Sequence, residues 1–214
     1  MPHVAVVIGG GPLDPDAVAY LPADAVIVAA DSGLDHAVAA GLQPAVLVGD
    51  LDSISAAGRM WAYEHGVLTI EAPADKDVTD TEMALQAALD TPGIEQLTLL
   101  GGIGDRLDHL LGTLLALGHP RLAEVTTVRA FIGTTQCAVV HGAHSTSLQI
   151  GTSRTFSVLA LHGSATGVGV RGAKWELHDA TLGATEARGV SNESIEEWVT
   201  VSADTGIVTV VVPA

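Results

Sequence analysis

The sequence predicts two domains: an N-terminal α/β domain with a parallel sheet over residues 1–134, and a C-terminal all-β sandwich domain over residues 135–214. Up to about residue 130, short apolar runs alternate with helical patterns, which indicates βα units and a parallel sheet. After Gly133-Thr134-Thr135 the helical periodicity ends, and short β-like runs separated by glycine- and aspartate-rich turns follow. A chain of 214 residues is long enough for two small domains.

The first domain is predicted to contain five parallel strands, each leading into a segment rich in glycine or aspartate. These strands cover residues 4–8, 25–30, 45–48, 67–70 and 97–100. Helices are predicted over residues 35–40, 79–89 and 107–117, and a final strand over residues 125–132. The helix over 107–117 has leucines at i, i+3, i+4, i+7 and i+8, the pattern of an amphipathic helix.

The second domain is predicted to consist of short strands alone. They cover residues 136–140, 147–150, 155–161, 175–177, 198–202 and 207–212. Residues 203–206, with the sequence Ala-Asp-Thr-Gly, are expected to form the loop of a closing hairpin between the last two strands.

Composition excludes several classes of protein. The net charge of −16 argues against nucleic-acid binding, which needs clustered lysine and arginine. The apolar runs are far shorter than the roughly 20 residues that cross a bilayer, and Met1-Pro2-His3 lacks the basic start of a secretory signal. The single cysteine, Cys137, excludes an internal disulfide and fits a reducing compartment. We therefore expect a cytoplasmic protein without nucleic-acid or membrane partners.

Carboxylates follow several of the predicted strands. Because the carboxyl ends of parallel strands share one edge of a sheet, where ligands bind, these carboxylates are expected to converge on one crevice. Their mutual repulsion favours a bound cation. In Gly49-Asp50-Leu51-Asp52-Ser53, the carboxylates at i and i+2 could both bind Mg²⁺, although the same residues are also typical of a polar turn.

The segment from Lys76 to Glu82 combines a basic residue with crowded acidic ones. Asp77 with Asp80, or Thr79 with Glu82, could form a capping box for the following helix. Lys76 is one of only two lysines in the chain. A phosphate-binding lysine beside metal-binding aspartates is suited to a nucleoside triphosphate.

The segment Gly101–His109 has the order of a phosphate cradle: a strand, then glycines, then the start of a helix whose free N–H groups attract anions. Arg106 could bind a phosphate through two hydrogen bonds, and Asp108 could join the metal or orient a nucleophile. The segment is not a P-loop, because the Gly-Lys-Ser/Thr ending is missing. Nor does Gly9-Gly10-Gly11 have the glycine spacing of a dinucleotide-binding fold.

In the β domain, Trp175 and the pair Ser191-Asn192 are the candidates for function. In a chain with only 3% aromatic residues, Trp175 is either a core anchor or a stacking surface, and the sequence favours the core. Ser191-Asn192 is most simply a turn.

Taken together and in order, these motifs resemble the thiamine pyrophosphokinase family over roughly residues 4–212. The motifs that carry the resemblance are Asp31-Ser32-Gly33, Gly49-Asp50-Leu51-Asp52-Ser53, Lys76-Asp77-Val78-Thr79-Asp80-Thr81-Glu82, Gly101-Gly102-Ile103-Gly104-Asp105-Arg106-Leu107-Asp108-His109 and Ser191-Asn192-Glu193. The resemblance implies an α/β catalytic domain, a β-sandwich domain that binds thiamine, and a homodimer with thiamine held between the two subunits. The implied reaction converts ATP and thiamine to thiamine diphosphate and AMP.

The resemblance also implies a role for individual residues. The catalytic residues would be Asp50, Asp52, Asp80 and Asp108, of which Asp50, Asp52 and Asp80 would bind Mg²⁺. ATP and its phosphates would be bound by Asp31, Lys76, Asp77, Gly102, Arg106 and His109. Thiamine would be bound by Trp175, Ser191 and Asn192. Asp105, where the family often has glycine, and Ala173, where it usually has a bulkier residue, depart from the family pattern.

Two other functions are compatible with parts of the pattern. A metal-dependent phosphohydrolase could use the same sheet edge, but it would not need a second-substrate platform around Trp175 and Ser191. A thiamine- or nucleotide-binding protein without catalysis would not need every acidic and basic position of the central motifs to be filled.

Overall fold

The computed structural model describes residues 2–73, 75 and 77–214. Lys76, a predicted phosphate ligand, lies outside the described residues. The chain divides into two compact units, one of residues 1–116 and 130–134 and the other of residues 117–129 and 135–214.

A five-stranded parallel sheet forms the centre of the first unit. Its strands are β1 (His3–Val7), β2 (Val26–Ala30), β3 (Pro44–Gly49), β4 (Leu68–Glu71) and β5 (Gln96–Gly101). They are hydrogen-bonded in the order β5-β1-β2-β3-β4. Every residue of the inner strand β1 is buried, as expected for a parallel sheet covered on both faces. The five strands predicted from the apolar runs are thus confirmed.

Five helices accompany this sheet: α1 (Pro15–Ala19), α2 (Gly33–Ala39), α3 (Ala56–Glu64), α4 (Asp80–Leu89) and α5 (Leu107–Ala116). The three predicted helices correspond to α2, α4 and α5 and are confirmed. Helices α1 and α3 were not predicted, although each has a capping signal. The Asp14 side chain accepts hydrogen bonds from the first-turn amides of α1, and Ser55 accepts one from Gly58 N–H in α3.

The start of α4 is fixed by a capping box. Thr79 Oγ1 accepts from Glu82 N–H at 3.2 Å, and Glu82 Oε2 accepts from Thr79 N–H at 2.8 Å. The structure therefore selects the Thr79–Glu82 alternative over Asp77–Asp80. As a result Asp80 occupies the first turn of α4, where its side chain takes no part in the capping pair.

Helix α5 exposes most of its apolar stripe. Leu107, Leu111 and Leu115 are 66%, 52% and 63% exposed, whereas Thr113 and Ala116 are buried. Among the described residues, no helix is both long and apolar enough to cross a membrane.

The second unit contains two antiparallel sheets. A 3₁₀ helix (Pro120–Glu124) and β6 (Thr127–Ile132) precede them in the chain. The remaining strands are β7 (Thr135–His141), β8 (His144–Gln149), β9 (Thr155–Leu159), β10 (Ala165–Arg171), β11 (Leu177–Leu182), β12 (Asn192–Glu193), β13 (Trp198–Ala203) and β14 (Ile207–Val212). One sheet has the order β12-β9-β14-β7 and the other β11-β10-β13-β8. Residues from both share one core, so the predicted sandwich is confirmed.

Three details of this unit differ from the prediction. The strand expected at residues 175–177 is wrong, because β11 begins only at Leu177. Strand β10 was missed because Gly167 and Gly169 interrupt its apolar pattern. The hairpin expected at residues 203–206 is also wrong: β13 and β14 belong to different sheets, and the amides of Asp204 and Thr205 bond to Thr166 O instead.

Candidate active site

A cavity of about 360 Å³ lies in the first unit, lined by residues that follow β1, β2 and β5. Of the predicted site residues, Asp31, Asp80, Gly102, Arg106 and His109 line it. Four hydroxyl-bearing residues that were not predicted as site residues also line it: Ser32, Ser53, Thr79 and Thr81. In the sequence, only their position within the aspartate motifs could have indicated a role in the site.

Beside this cavity, three aspartates form a cluster. One carboxylate oxygen from each of Asp31, Asp50 and Asp52 lies within 4.8 Å of the other two. Asp31 follows β2, and Asp50 and Asp52 follow β3, its neighbour in the sheet. The register of these two strands therefore brings together carboxylates that are about 20 residues apart in the chain.

The backbone around Asp31 is built to hold its carboxylate. Asp31 and Leu51 both adopt left-handed conformations, with φ of 43° and 63°. Leu51 N–H donates to Asp31 Oδ1 at 2.9 Å. A Cβ on Gly49 would lie 2.2 Å from the same oxygen, so only glycine fits beside it. Strained backbone of this kind persists where surrounding contacts determine it, commonly at functional sites.

Electrostatics show that the cluster is under charge repulsion. Burial of Asp31, which is 9% exposed, raises its pKa, and the carboxyls of Asp80 and Asp50 raise it further. The hydrogen bond from Leu51 N–H opposes these effects, and the net result is a pKa of about 6. A divalent cation would relieve this repulsion, and carboxylate oxygens are the ligands that Mg²⁺ prefers. The three aspartates thus fit a Mg²⁺ site.

The two predicted aspartates near the start of α4, Asp77 and Asp80, differ in their position relative to the cavity. Asp80 lines the cavity from the first turn of α4, and its carboxyl is one of the neighbours that raise the pKa of Asp31. Asp77 is exposed and is not among the residues that line the cavity. Asp80 is thus brought to the acidic cluster and Asp77 is not.

The loop after β5 carries the basic group of the cavity. Arg106 forms a two-point ion pair with Asp108, at 2.9 Å from Nε to Oδ1 and 2.6 Å from the terminal nitrogen to Oδ2. This hydrogen bonding holds the pKa of Asp108 well below its usual range. Both side chains are more than 60% exposed, so the pair contributes little to stability. Asp105, the departure from the family pattern, also lines the cavity.

In the second unit, Trp175 is displayed at the surface. It is 55% exposed, so the interpretation of Trp175 as a core anchor is wrong. Asn192, only 8% exposed, fixes the tryptophan backbone: its Nδ2 donates to Trp175 O at 2.8 Å, and its Oδ1 accepts from Trp175 N–H at 3.2 Å. Lys174 Nζ lies 4.9 Å from the centre of the indole ring and 3.4 Å from a Glu193 carboxylate oxygen.

The residues around Trp175 differ in exposure. Ala173 is 1% exposed and forms a β-bridge with Ser194, so it belongs to the core of this unit. Ser191 is exposed, has a φ of 61°, and donates its N–H to Ser157 Oγ at 3.1 Å. Trp175 and Ser191 are therefore accessible to a ligand, and Asn192 supports the backbone of Trp175.

The fold and the site define a two-unit protein, with an acidic cluster and a glycine loop in an α/β unit and an exposed tryptophan on a β-sandwich unit. The chain belongs to the thiamin pyrophosphokinase family. The model of that family's catalytic domain matches residues 18–128, and the model of its vitamin B1 binding domain matches residues 145–208. The family predicted from the motifs is therefore confirmed.

Individual relatives agree with this assignment. The thiamine pyrophosphokinase of Bacillus subtilis (strain 168) is 33% identical over 114 residues, which are 52% of this chain and 52% of that protein. The chain thus matches about half the length of this curated relative. Among solved structures, thiamine pyrophosphokinase from Bacillus subtilis superposes with a TM-score of 0.80 at 24% identity, covering 99% of both chains. A thiamin pyrophosphokinase family protein from Enterococcus faecalis gives 0.79 at 27% identity, covering 100% of this chain and 99% of that one.

Proposed function

We propose that this chain is a Mg²⁺-dependent thiamine pyrophosphokinase that transfers a diphosphoryl group from ATP to the hydroxyl of thiamine, giving thiamine diphosphate and AMP. The observation that carries the proposal is the cluster of Asp31, Asp50 and Asp52, whose carboxylate oxygens lie within 4.8 Å of one another beside a cavity of about 360 Å³. Such a cluster suits a metal-bound triphosphate.

In this proposal the acidic cluster holds Mg²⁺. Asp31, Asp50 and Asp52 provide ligands, and Asp80 completes the shell from the first turn of α4. When bound, the metal neutralises charge on the phosphates and so favours attack at phosphorus. The raised pKa of Asp31 means that metal binding also releases protons near neutral pH.

The loop after β5 binds the phosphate chain. Arg106 lines the cavity and offers a planar, two-point donor, which matches phosphate geometry. His109 and the Gly102 backbone line the same cavity. Lys76 and Asp77 belong to the proposed ATP site through the family motif alone.

Arg106 couples phosphate binding to the chemistry at Asp108. While Arg106 is paired with Asp108, this carboxylate has a low pKa and is a poor proton acceptor. A triphosphate that takes Arg106 away would allow the pKa of Asp108 to rise. The thiamine hydroxyl then attacks the β-phosphorus, the bond from that phosphorus to the oxygen bridging to the α-phosphorus breaks, and AMP leaves. The hydroxyl proton goes to a carboxylate oxygen of Asp80 or Asp108.

Of the three predicted thiamine residues, Trp175 and Ser191 in the β-sandwich unit contact thiamine, and Asn192 supports the site by holding the backbone of Trp175. The exposed indole of Trp175 stacks on the cationic thiazolium ring, a contact worth ~1–2 kcal/mol when desolvated. We further propose a homodimer, supported by the exposed stripe of Leu107, Leu111 and Leu115 on α5. A cytoplasmic location accords with the supply of ATP there and with a buried, unpaired Cys137.

One experiment distinguishes this function from its alternatives. The purified protein is incubated with Mg²⁺ and ATP, with and without thiamine, and AMP, orthophosphate and thiamine diphosphate are followed. The proposal requires AMP that forms only when thiamine is present, together with an equal amount of thiamine diphosphate. Orthophosphate released without thiamine would indicate a hydrolase, and no turnover would indicate a binding protein. Asp52→Asn is expected to abolish AMP release.

A further inference from the structure

The segment Gly9-Gly10-Gly11 is a second glycine loop at the same cavity, and the proposed function leaves it without a role. It follows β1, the strand next to β5 in the parallel sheet, and Gly9 and Gly10 line the cavity together with Gly102 and Gly104. Two glycine loops from neighbouring strands therefore share one cavity.

The two loops touch backbone to backbone. A Cβ on Gly102 would lie 2.4 Å from Gly10 O and 2.5 Å from Gly11 N. A Cβ on Gly10 would lie 2.6 Å from Gly102 O. Since real Cβ atoms essentially never approach within 3.0 Å, this seam between Gly10 and Gly102 exists only because both residues lack side chains.

The backbone conformation at Gly10 is a second reason why this position requires glycine. Its φ is +103° and that of Gly11 is +128°, values that L-residues rarely adopt. Gly102 and Gly104 have no such φ, so at Gly102 the close approach is the whole reason for glycine.

The amide groups of both loops are available to a ligand. Among the described residues, no hydrogen bond has the N–H of Gly10, Gly11, Gly102 or Gly104 as its donor. Backbone N–H groups normally find an acceptor, and successive unbonded N–H groups in a concave loop form a site for anions. The acidic cluster nearby excludes a bare anion, so the fitting ligand is a phosphate chain that arrives with its cation.

We propose that Gly10 and Gly102 are positioning residues that hold the two loops together, so that amides from both bind the phosphate chain of one Mg²⁺-bound ATP. This inference rests on the proposed function for the identity of the nucleotide. In this arrangement the loop Gly9-Gly10-Gly11 forms one side of the phosphate site, and the loop after β5, which carries Arg106, forms the other.

Two matched pairs of variants test the seam. Gly102→Ala is compared with Gly112→Ala on α5, whose new Cβ would have no atom within 4 Å. Gly10→Ala is compared with Gly41→Ala, which also has a positive φ, +80°, but no atom within 4 Å of the new Cβ. We expect Gly102→Ala and Gly10→Ala to raise the KM for ATP at least tenfold, with the KM for thiamine changed less than threefold. Gly112→Ala and Gly41→Ala should change both constants less than threefold.

If Gly10→Ala or Gly102→Ala does not fold, a measurement on the unaltered protein still tests the inference. Amide resonances of ¹⁵N-labelled protein are followed while Mg²⁺ and the non-hydrolysable α,β-methylene analogue of ATP are added. The N–H signals of Gly10 and Gly102 should shift together, with one dissociation constant, and thiamine alone should move neither. A shift at Gly102 with none at Gly10, or equal losses in all four alanine variants, would overturn the inference.

These experiments distinguish failure of the two-loop inference from failure of the proposed function. If AMP forms with thiamine but the Gly10 signal does not respond to the nucleotide analogue, only the role of the first loop is wrong. If both glycine signals respond but no thiamine diphosphate forms, the phosphate site stands and the proposed reaction is wrong.

Discussion

Replacing Asp31 with asparagine should stabilise the metal-free protein at neutral pH while abolishing its activity. Asp31 is buried beside other carboxyls, and its pKa of about 6 is well above the ordinary value of 3.8. Asparagine has nearly the same shape and keeps an oxygen that can accept from Leu51 N–H. It removes a charge that is costly chiefly because it is buried and, in addition, because the carboxyls of Asp80 and Asp50 lie nearby.

The size of this effect follows from the shift in pKa. A difference of about 2 units, at 1.36 kcal/mol for each unit, makes ionised Asp31 cost roughly 3 kcal/mol of folding free energy when no metal is bound. Because the pKa is raised in the folded state, folded protein binds more protons than unfolded protein between about pH 4 and 6. The contribution of Asp31 to stability therefore falls as the pH rises through this window, and the full cost is present above about pH 7.

Urea denaturation in the presence of EDTA measures the prediction. Asp31→Asn should exceed the unaltered protein in unfolding free energy by about 2–3 kcal/mol at pH 8, and the difference should shrink towards zero near pH 4. Added Mg²⁺ should stabilise the unaltered protein and not the variant. Asp52→Asn is the control, because Asp52 is exposed and its loss should change stability by only about 0.5 kcal/mol. A variant that is less stable than the unaltered protein at pH 8, or a pH-independent difference, would refute the reasoning.

Four further predictions concern other parts of the chain. Trp175→Ala should raise the KM for thiamine roughly tenfold in steady-state kinetics and leave the urea midpoint nearly unchanged, since the ring is half exposed; a variant that unfolds with a normal KM would contradict the stacking role. Arg106→Lys should raise the KM for ATP roughly tenfold, because lysine lacks the two-point donor; an unaltered KM would remove Arg106 from the phosphate site. Thr79→Ala should lower the unfolding free energy by about 1 kcal/mol through loss of the capping box, and Thr79→Ser should restore most of it. Burial raises the pKa of Cys137 to about 11, so a maleimide should label the native protein only as fast as it unfolds; rapid labelling at pH 7.5 would show that the thiol is accessible.

Strands β1 and β2 could be predicted because each is an uninterrupted apolar run, the pattern of a strand buried on both faces. The edge strand β4, which is exposed throughout, was predicted from a shorter run that contains Thr69. The convergence of the carboxylates at the strand ends follows from the parallel arrangement. The sequence did not predict which aspartates form the cluster, because this depends on the order of the strands in the sheet. Only the pairing of β2 with β3 places Asp31 beside Asp50 and Asp52, and no local pattern encodes that neighbour relation.

Two errors in the second unit both involve tertiary hydrogen bonds. Composition suggested that a tryptophan in an aromatic-poor chain belongs in the core. The core of this unit is formed mainly by alanine and valine together with Phe156, while Trp175 is 55% exposed and its backbone is hydrogen-bonded to the side chain of Asn192. Likewise, residues 203–206 have the composition of a hairpin turn but connect two sheets, because Thr166 binds their amides. Such hydrogen bonds leave no periodic trace in the sequence.

The fate of the individual phosphates of ATP tests the central claim most directly. The protein is given thiamine, Mg²⁺ and ATP labelled with ³³P at the α position and ³²P at the γ position, and the products are separated. A diphosphoryl transfer by the site at Asp31, Asp50 and Asp52 predicts all transferred ³²P in thiamine diphosphate and an equal molar amount of ³³P in AMP. Recovery of ³²P in orthophosphate or thiamine monophosphate, with ³³P in ADP, would contradict the account.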